Sequence, residues 1–136
     1  MTGAKELLEE ANDIRLLYVE DDEKLREDTR RLLTTFFQDI TVAVNGQEAF
    51  EKYKSKAYDI VISDLIMPLM SGSELAKQIK ALNQSQIIII LSAHDEAAIV
   101  NELKDTGVDF FIFKPLEISQ FISTLHDACL MARKNS

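Results

Sequence analysis

Cysteine is nearly absent from this chain. Cys129 is the only one among 136 residues, which excludes an internal disulfide framework and fits a reducing compartment, the cytoplasm. Tryptophan is missing, and proline occurs twice and glycine four times; no repeat or low-complexity tract is present. Basic residues are outnumbered, 15 Lys and Arg against 23 Asp and Glu, for a net charge of −8. That balance argues against a nucleic-acid-binding surface on this chain. Long apolar runs are also missing. None is longer than a strand such as Ile87–Leu91, so no membrane span is expected. The opening MTGAKELLEEAND has no apolar h-region and does not read as a secretory signal. What remains is ordinary: 46% hydrophobic residues, enough for one domain with a real core.

The chain is built on an alternation. Short β-branched runs at Ile14–Val19, Ile40–Val44, Tyr58–Ser63, Ile87–Ser92 and Asp109–Phe113 predict five strands, three of them nearly all apolar, as in strands covered on both faces. Between them apolar residues recur at helical spacing: Leu25, Leu32, Leu33 and Phe36; Ala49, Phe50 and Tyr53; Leu75, Ile79 and Leu82; Ile99, Val100 and Leu103; then Ile118, Phe121, Ile122, Leu125 and Cys129. Asn45-Gly46 and Thr106-Gly107 punctuate element ends. The expected fold is α/β, a (βα)5 doubly wound parallel sheet with helices on both faces. Residues 1–13 read as a helix-prone leader or linker, 14–132 as the domain, and 133–136 as a tail.

Ligands of open α/β sheets bind beyond the carboxyl ends of the strands, so the residues that follow each strand matter most. After the first stand Glu20, Asp21 and Asp22; after the third, Asp64; after the fourth, Ser92; after the fifth, Lys114 and then Pro115. Several carboxylates in one crevice repel each other. A hard divalent cation relieves that repulsion, and Mg2+ suits a few carboxylates beside a phosphate. A carboxylate can take a phosphoryl group covalently, an ammonium and a hydroxyl can steady its oxygens, and these parts suffice for in-line phosphoryl transfer to an aspartate.

VEDD at Val19–Asp22, DLIMPLMSG at Asp64–Gly72, LSA at Leu91–Ala93 and FKP at Phe113–Pro115 resemble, in order and in register, the signature of bacterial response-regulator receiver domains. The resemblance runs from about Ile14 to Met131 and implies strand order 2-1-3-4-5. It implies that Asp64 is the phosphoacceptor and that Glu20, Asp21, Asp64 and the backbone carbonyl of Ile66 hold Mg2+. Ser92 and Lys114 would contact the phosphoryl group, Ser92 and Phe111 would form the switch pair, and Lys114–Pro115 would be the peptide bond often found cis in the family. The implied partners are a sensor histidine kinase or histidine phosphotransfer protein, and a downstream effector domain or protein reached through the face of the last two helices and the fifth strand. A homodimer stays open. Phe111 lacks the hydroxyl of the common tyrosine, and His94 and Ile66 occupy positions that tune phosphoryl lifetime in the family.

Blander readings attach to several residues. Asp22 suits a helix N-cap, Met67 and Met70 suit packing, Cys129 a core position, and His126 the surface. Competing functions are a stand-alone phosphotransfer relay, a docking module independent of phosphorylation, and a Mg2+-dependent phosphatase. The phosphatase reading lacks a general acid, since Ile66 stands where a second acid would be needed. A flavin module is disfavoured because EDDE after the first strand would repel a phosphate.

Overall fold

The computed structural model describes residues 3–93, 98, 101, 103–104 and 107–135. His94, Ile99, Val100 and Thr106, singled out above, lie outside the described residues. Five parallel strands, β1 (Arg15–Val19), β2 (Asp39–Ala43), β3 (Ile60–Asp64), β4 (Ile87–Ala93) and β5 (Phe110–Lys114), form one sheet in the order β2-β1-β3-β4-β5. The longer helices along the described residues are α1 (Ala4–Ala11), α2 (Glu23–Thr34), α3 (Gly46–Ser55), α4 (Gly72–Leu82) and α5 (Ile118–Lys134). Ala98, Asn101 and Leu103, between β4 and β5, are also helical. No helix among the described residues is long and apolar enough to cross a membrane.

The strand period of two divides the core in half. Leu16, Tyr18, Ile60, Ile62, Ile87 and Ile89 face one side, where they meet Leu7 of α1, Leu33 of α2 and Phe121 and Leu125 of α5. Leu17, Val19, Val61, Ile88 and Ile90 face the other side, against Ala49 of α3, Leu75 and Ile79 of α4, and Leu103. The inner strands β1, β3 and β4 are therefore apolar at nearly every position, whereas β2 and β5 at the edges are mostly half-buried.

Side-chain caps start four helices. Asp22 accepts from the Leu25 amide, Asn45 from Glu48, Ser71 from Glu74, and Glu117 from Ser119 and Gln120. Each satisfies amides that have no partner within the helix.

The first thirteen residues carry more than a helix-prone leader. Helix α1 lies on α5, with Leu7 and Ala11 fully buried in the same core as the sheet. Arg133 near the end of α5 fastens it, through Glu10 and Asp13. Burying Leu7 alone is worth roughly 1.5–3 kcal/mol. His126 is half-buried rather than a surface residue, and its Nδ1 is enclosed without a hydrogen-bond partner among the described residues.

Candidate phosphoacceptor site

The direction of chain winding reverses between β1 and β3, which opens a crevice at their carboxyl ends. Glu20 follows β1 directly, and Asp64 is the last residue of β3. Oxygens of Glu20, Asp21 and Asp64 all lie within 4.8 Å of one another. Glu20 and Asp64 are buried, and Asp21 is exposed at the mouth. Lys114, the last residue of β5, reaches back with Nζ 2.6 Å from Asp64 Oδ1 and 3.4 Å from Glu20 Oε1. The Lys114–Pro115 peptide bond is cis.

Burial drives the electrostatics of this cluster. It pushes the Asp64 carboxyl above the usual aspartate range, and the Lys114 ammonium holds back only part of that rise. Glu20 is raised by burial too, and further by the Asp64 charge, while the Asp22 amide donating to Oε2 at 3.1 Å and Lys114 oppose the rise. Burial alone would lower Lys114, but its two carboxylate partners more than offset it and the ammonium stays charged. Among the described residues, one side-chain cation thus pairs with two buried acids, with a third acid at the rim.

Ser92 follows Leu91, the register partner of Asp64, and is fully buried. Its hydroxyl donates to the Ala93 carbonyl at 3.5 Å, a long bond, rather than to a carboxylate. Phe111 lies on β5, half-buried against the α3–α4 side of the core. Ile66 opens the loop between β3 and α4 with its side chain exposed. The geometry therefore joins Glu20, Asp21, Asp64 and Lys114 directly, and places Ser92 one residue past the strand position beside Asp64.

Two contributors escaped sequence reasoning. Arg26, in the first turns of α2, donates Nη1 to the carbonyls of Glu20 at 3.0 Å and Asp21 at 3.4 Å, bracing the backbone of the acidic turn. An arginine one turn after an acidic N-cap is the only signal that could have pointed to it. Tyr18 read as one more apolar strand residue. Its phenol is buried, and burial raises its pKa, with the Glu20 and Asp64 charges adding to the rise.

The sequence matches the family model described as "Response regulator receiver domain" over residues 16–126. The chain belongs to the response regulator receiver domain family. Among its relatives, the chemotaxis protein CheY of Thermotoga maritima is 34% identical over 113 residues, covering 82% of this chain and 94% of CheY. A cyclic di-GMP phosphodiesterase of the same organism is 35% identical over 103 residues, covering 76% of this chain and 27% of that protein. The chain spans about half the length of several mycobacterial response regulators that it also matches. A receiver domain from Clostridium thermocellum superposes with a TM-score of 0.85 over 90% of this receiver and 99% of its own chain; at 19% identity the likeness is one of fold. Receiver domains are signalling modules that take a phosphoryl group at an acidic, Mg2+-binding pocket, and the cluster found here lies in that setting.

Proposed function

We propose that Asp64 of this receiver accepts a phosphoryl group from the phosphohistidine of a kinase or phosphotransfer protein in the cytoplasm, and that the modified pocket switches a downstream effector. The observation that carries this reading is the 2.6 Å contact between Lys114 Nζ and Asp64 Oδ1, inside a cluster of three carboxylates. The donor set is all oxygen, two of its acids are buried, and it holds more negative charge than Lys114 can match. Such a set fits a hard divalent cation. Glu20, Asp21, Asp64 and the Ile66 carbonyl would hold Mg2+, whose charge would offset that of the phosphoryl oxygens.

In the transfer an Asp64 carboxylate oxygen attacks phosphorus in line. The O–P bond forms as the P–N bond of phosphohistidine breaks, and the imidazole leaves with that electron pair. Lys114 is already held at the acceptor oxygen, so it would steady the phosphoryl group with little rearrangement. Ser92 would turn its hydroxyl from the Ala93 carbonyl to the phosphoryl group, and Phe111 would follow it inward. That motion would remodel the face of β5 and α5 for the effector.

An apolar cavity of about 280 Å³ between α2 and the start of α5, walled by Leu25, Thr29, Leu32, Pro115, Leu116 and Ile118, borders Lys114. It suits a helix of the phosphodonor protein seated beside Asp64. No general acid stands at Ile66, which favours a signalling acceptor over a turnover phosphatase.

The test is direct. Incubation with a small phosphodonor such as acetyl phosphate and Mg2+ is expected to add one phosphoryl mass, mapped to Asp64 by peptide mass spectrometry. Equal labelling of Asp64→Asn, or sustained turnover of a phosphoester, would sink the reading.

A further inference from the structure

The Asn45-Gly46 pair lies after β2, the strand whose end supplies no charged group to the pocket. Its role there goes beyond starting α3. A Cβ added at Gly46 would fall 2.2 Å from the carbonyl oxygen of Met70 and 2.8 Å from its Cβ. Gly46 is thus packed against the backbone of the loop that joins Asp64 to α4.

That loop, 65–71, is held in an unusual shape. Leu69 has a φ of 70°, the only positive φ among the described non-glycine residues, and its side chain is exposed. The Met70 amide donates to the Pro68 carbonyl at 2.8 Å, closing a three-residue γ-turn around Leu69. A non-glycine residue in this region persists only where its surroundings fix it. Two glycines do so. At the far end of the loop, Gly72 packs so closely that its Cβ would fall 2.2 Å from the carbonyl oxygen of Asp64 itself, and its amide donates to the Leu65 carbonyl at 2.7 Å. Gly46 braces the middle from outside, through Met70.

We infer that Gly46 is a positioning residue for the cation site: by letting the Met70 backbone come close, it fixes the loop that carries Ile66. This rests on the phosphoacceptor reading above. A methyl group at Gly46 would have to move the Met70 carbonyl by about 1 Å to reach an ordinary carbon–oxygen contact of about 3.3 Å. The displaced atom belongs to backbone, so no side-chain rotation can relieve it. The shift would pass along the γ-turn to Ile66. Misplacement on that scale away from the reacting atoms can cost on the order of a hundredfold in rate. Loss of a group that orients metal ligands typically costs about 10- to 100-fold in affinity.

The experiment titrates Mg2+ into isotope-labelled protein and follows backbone amide shifts, with Gly46→Ala beside Asn45→Ala. Asn45→Ala removes the cap of the same helix and adds no atom beside Met70, so it controls for loosening of α3. Gly46→Ala is expected to bind Mg2+ roughly 10- to 100-fold more weakly, and Asn45→Ala to bind like the parent. In the parent, the Gly46 and Met70 amides are expected to shift with the same midpoint as Ile66, a readout that holds even if Gly46→Ala does not fold. Parent-like affinity in a folded Gly46→Ala, or Gly46 and Met70 amides that ignore Mg2+ while Ile66 responds, overturns the role of Gly46 alone. No Mg2+ response at Asp64 or Ile66 in the parent overturns the phosphoacceptor reading and this inference with it.

Discussion

The two ends of the sheet handle charge in opposite ways. At the amino ends of the strands the charges are nearly matched, three cations to four acids. Arg15 pairs with Asp59 through Nε and Nη2 at 3.0 and 3.1 Å, Lys80 lies 3.7 Å from Asp109, and Arg133 ties Glu10 and Asp13 to α5. At the carboxyl ends, Glu20, Asp21 and Asp64 share Lys114. The contrast shows in the titration of the acids. Burial tends to raise Asp59, but the hydrogen bonds from Arg15 outweigh it and leave Asp59 below the usual range. The same kind of burial leaves Asp64 above it. Evolution of a stable fold favours the first arrangement, because an underpaired buried charge is costly. The second is the arrangement that a bound cation would complete.

The sharpest way to break this comparison is to neutralise one residue at the underpaired end. Asp64→Asn should abolish phosphoryl labelling altogether while leaving the melting temperature no lower than the parent's, since it removes one of three clustered carboxylates. A clear fall in melting temperature would mean that Asp64 is a structural charge like Asp59. Next in size is the packing under the paired end. Leu7→Ala should cost about 2–5 kcal/mol, read as a melting temperature lower by on the order of 10 °C, with Mg2+ affinity unchanged. Deletion of this side chain without cost would return residues 1–13 to the status of a leader.

Addition of Mg2+ at about a hundred times its Kd should stabilise the folded chain by about 2.7 kcal/mol. That gain should vanish in Asp64→Asn and survive in Asp59→Asn. Asp59→Asn itself should cost only about 0.5–1 kcal/mol, because the pair is partly exposed and screened. Its pH signature has a definite sign. The folded pKa of Asp59 is depressed, so the contribution is present above the unfolded value of 3.8 and is lost as pH falls through the folded value. The parent and Asp59→Asn should therefore differ at neutral pH and converge in acid urea melts. Smallest is Lys24→Ala. The exposed Lys24–Asp28 pair at 3.7 Å should contribute less than about 0.5 kcal/mol, within the scatter of a chemical denaturation curve.

Much of the fold was legible because it follows from short-range pattern. The runs IVIS and IIIIL suggested strands covered on both faces, and Asp22 could be read as an N-cap from its place before the apolar periodicity of α2. Asp64 and Lys114 stood out because each ends such a run. The packing of α1 on α5 was not legible: AKELLEEA offers only Leu7 and Ala11 as a buried stripe, and its acids read equally well as a solvated linker. Arg26 carried only a weak signal for a different reason. It acts on backbone carbonyls, and no residue type in the sequence marks a carbonyl that needs a donor.

The sequence by itself determined which segments are strands, which are helices, and which strand ends carry acid, hydroxyl or ammonium groups. Those properties depend on neighbours within a few residues, where periodicity and caps act. That β1 and β3 lie side by side was implied by the family resemblance; only the tertiary structure decided that Glu20 and Asp64 share one ammonium and that Gly46 touches the loop beyond Asp64. Charges interact strongly, and a methyl group clashes, only at separations of a few ångströms. Strand order, not sequence spacing, sets those distances in this receiver.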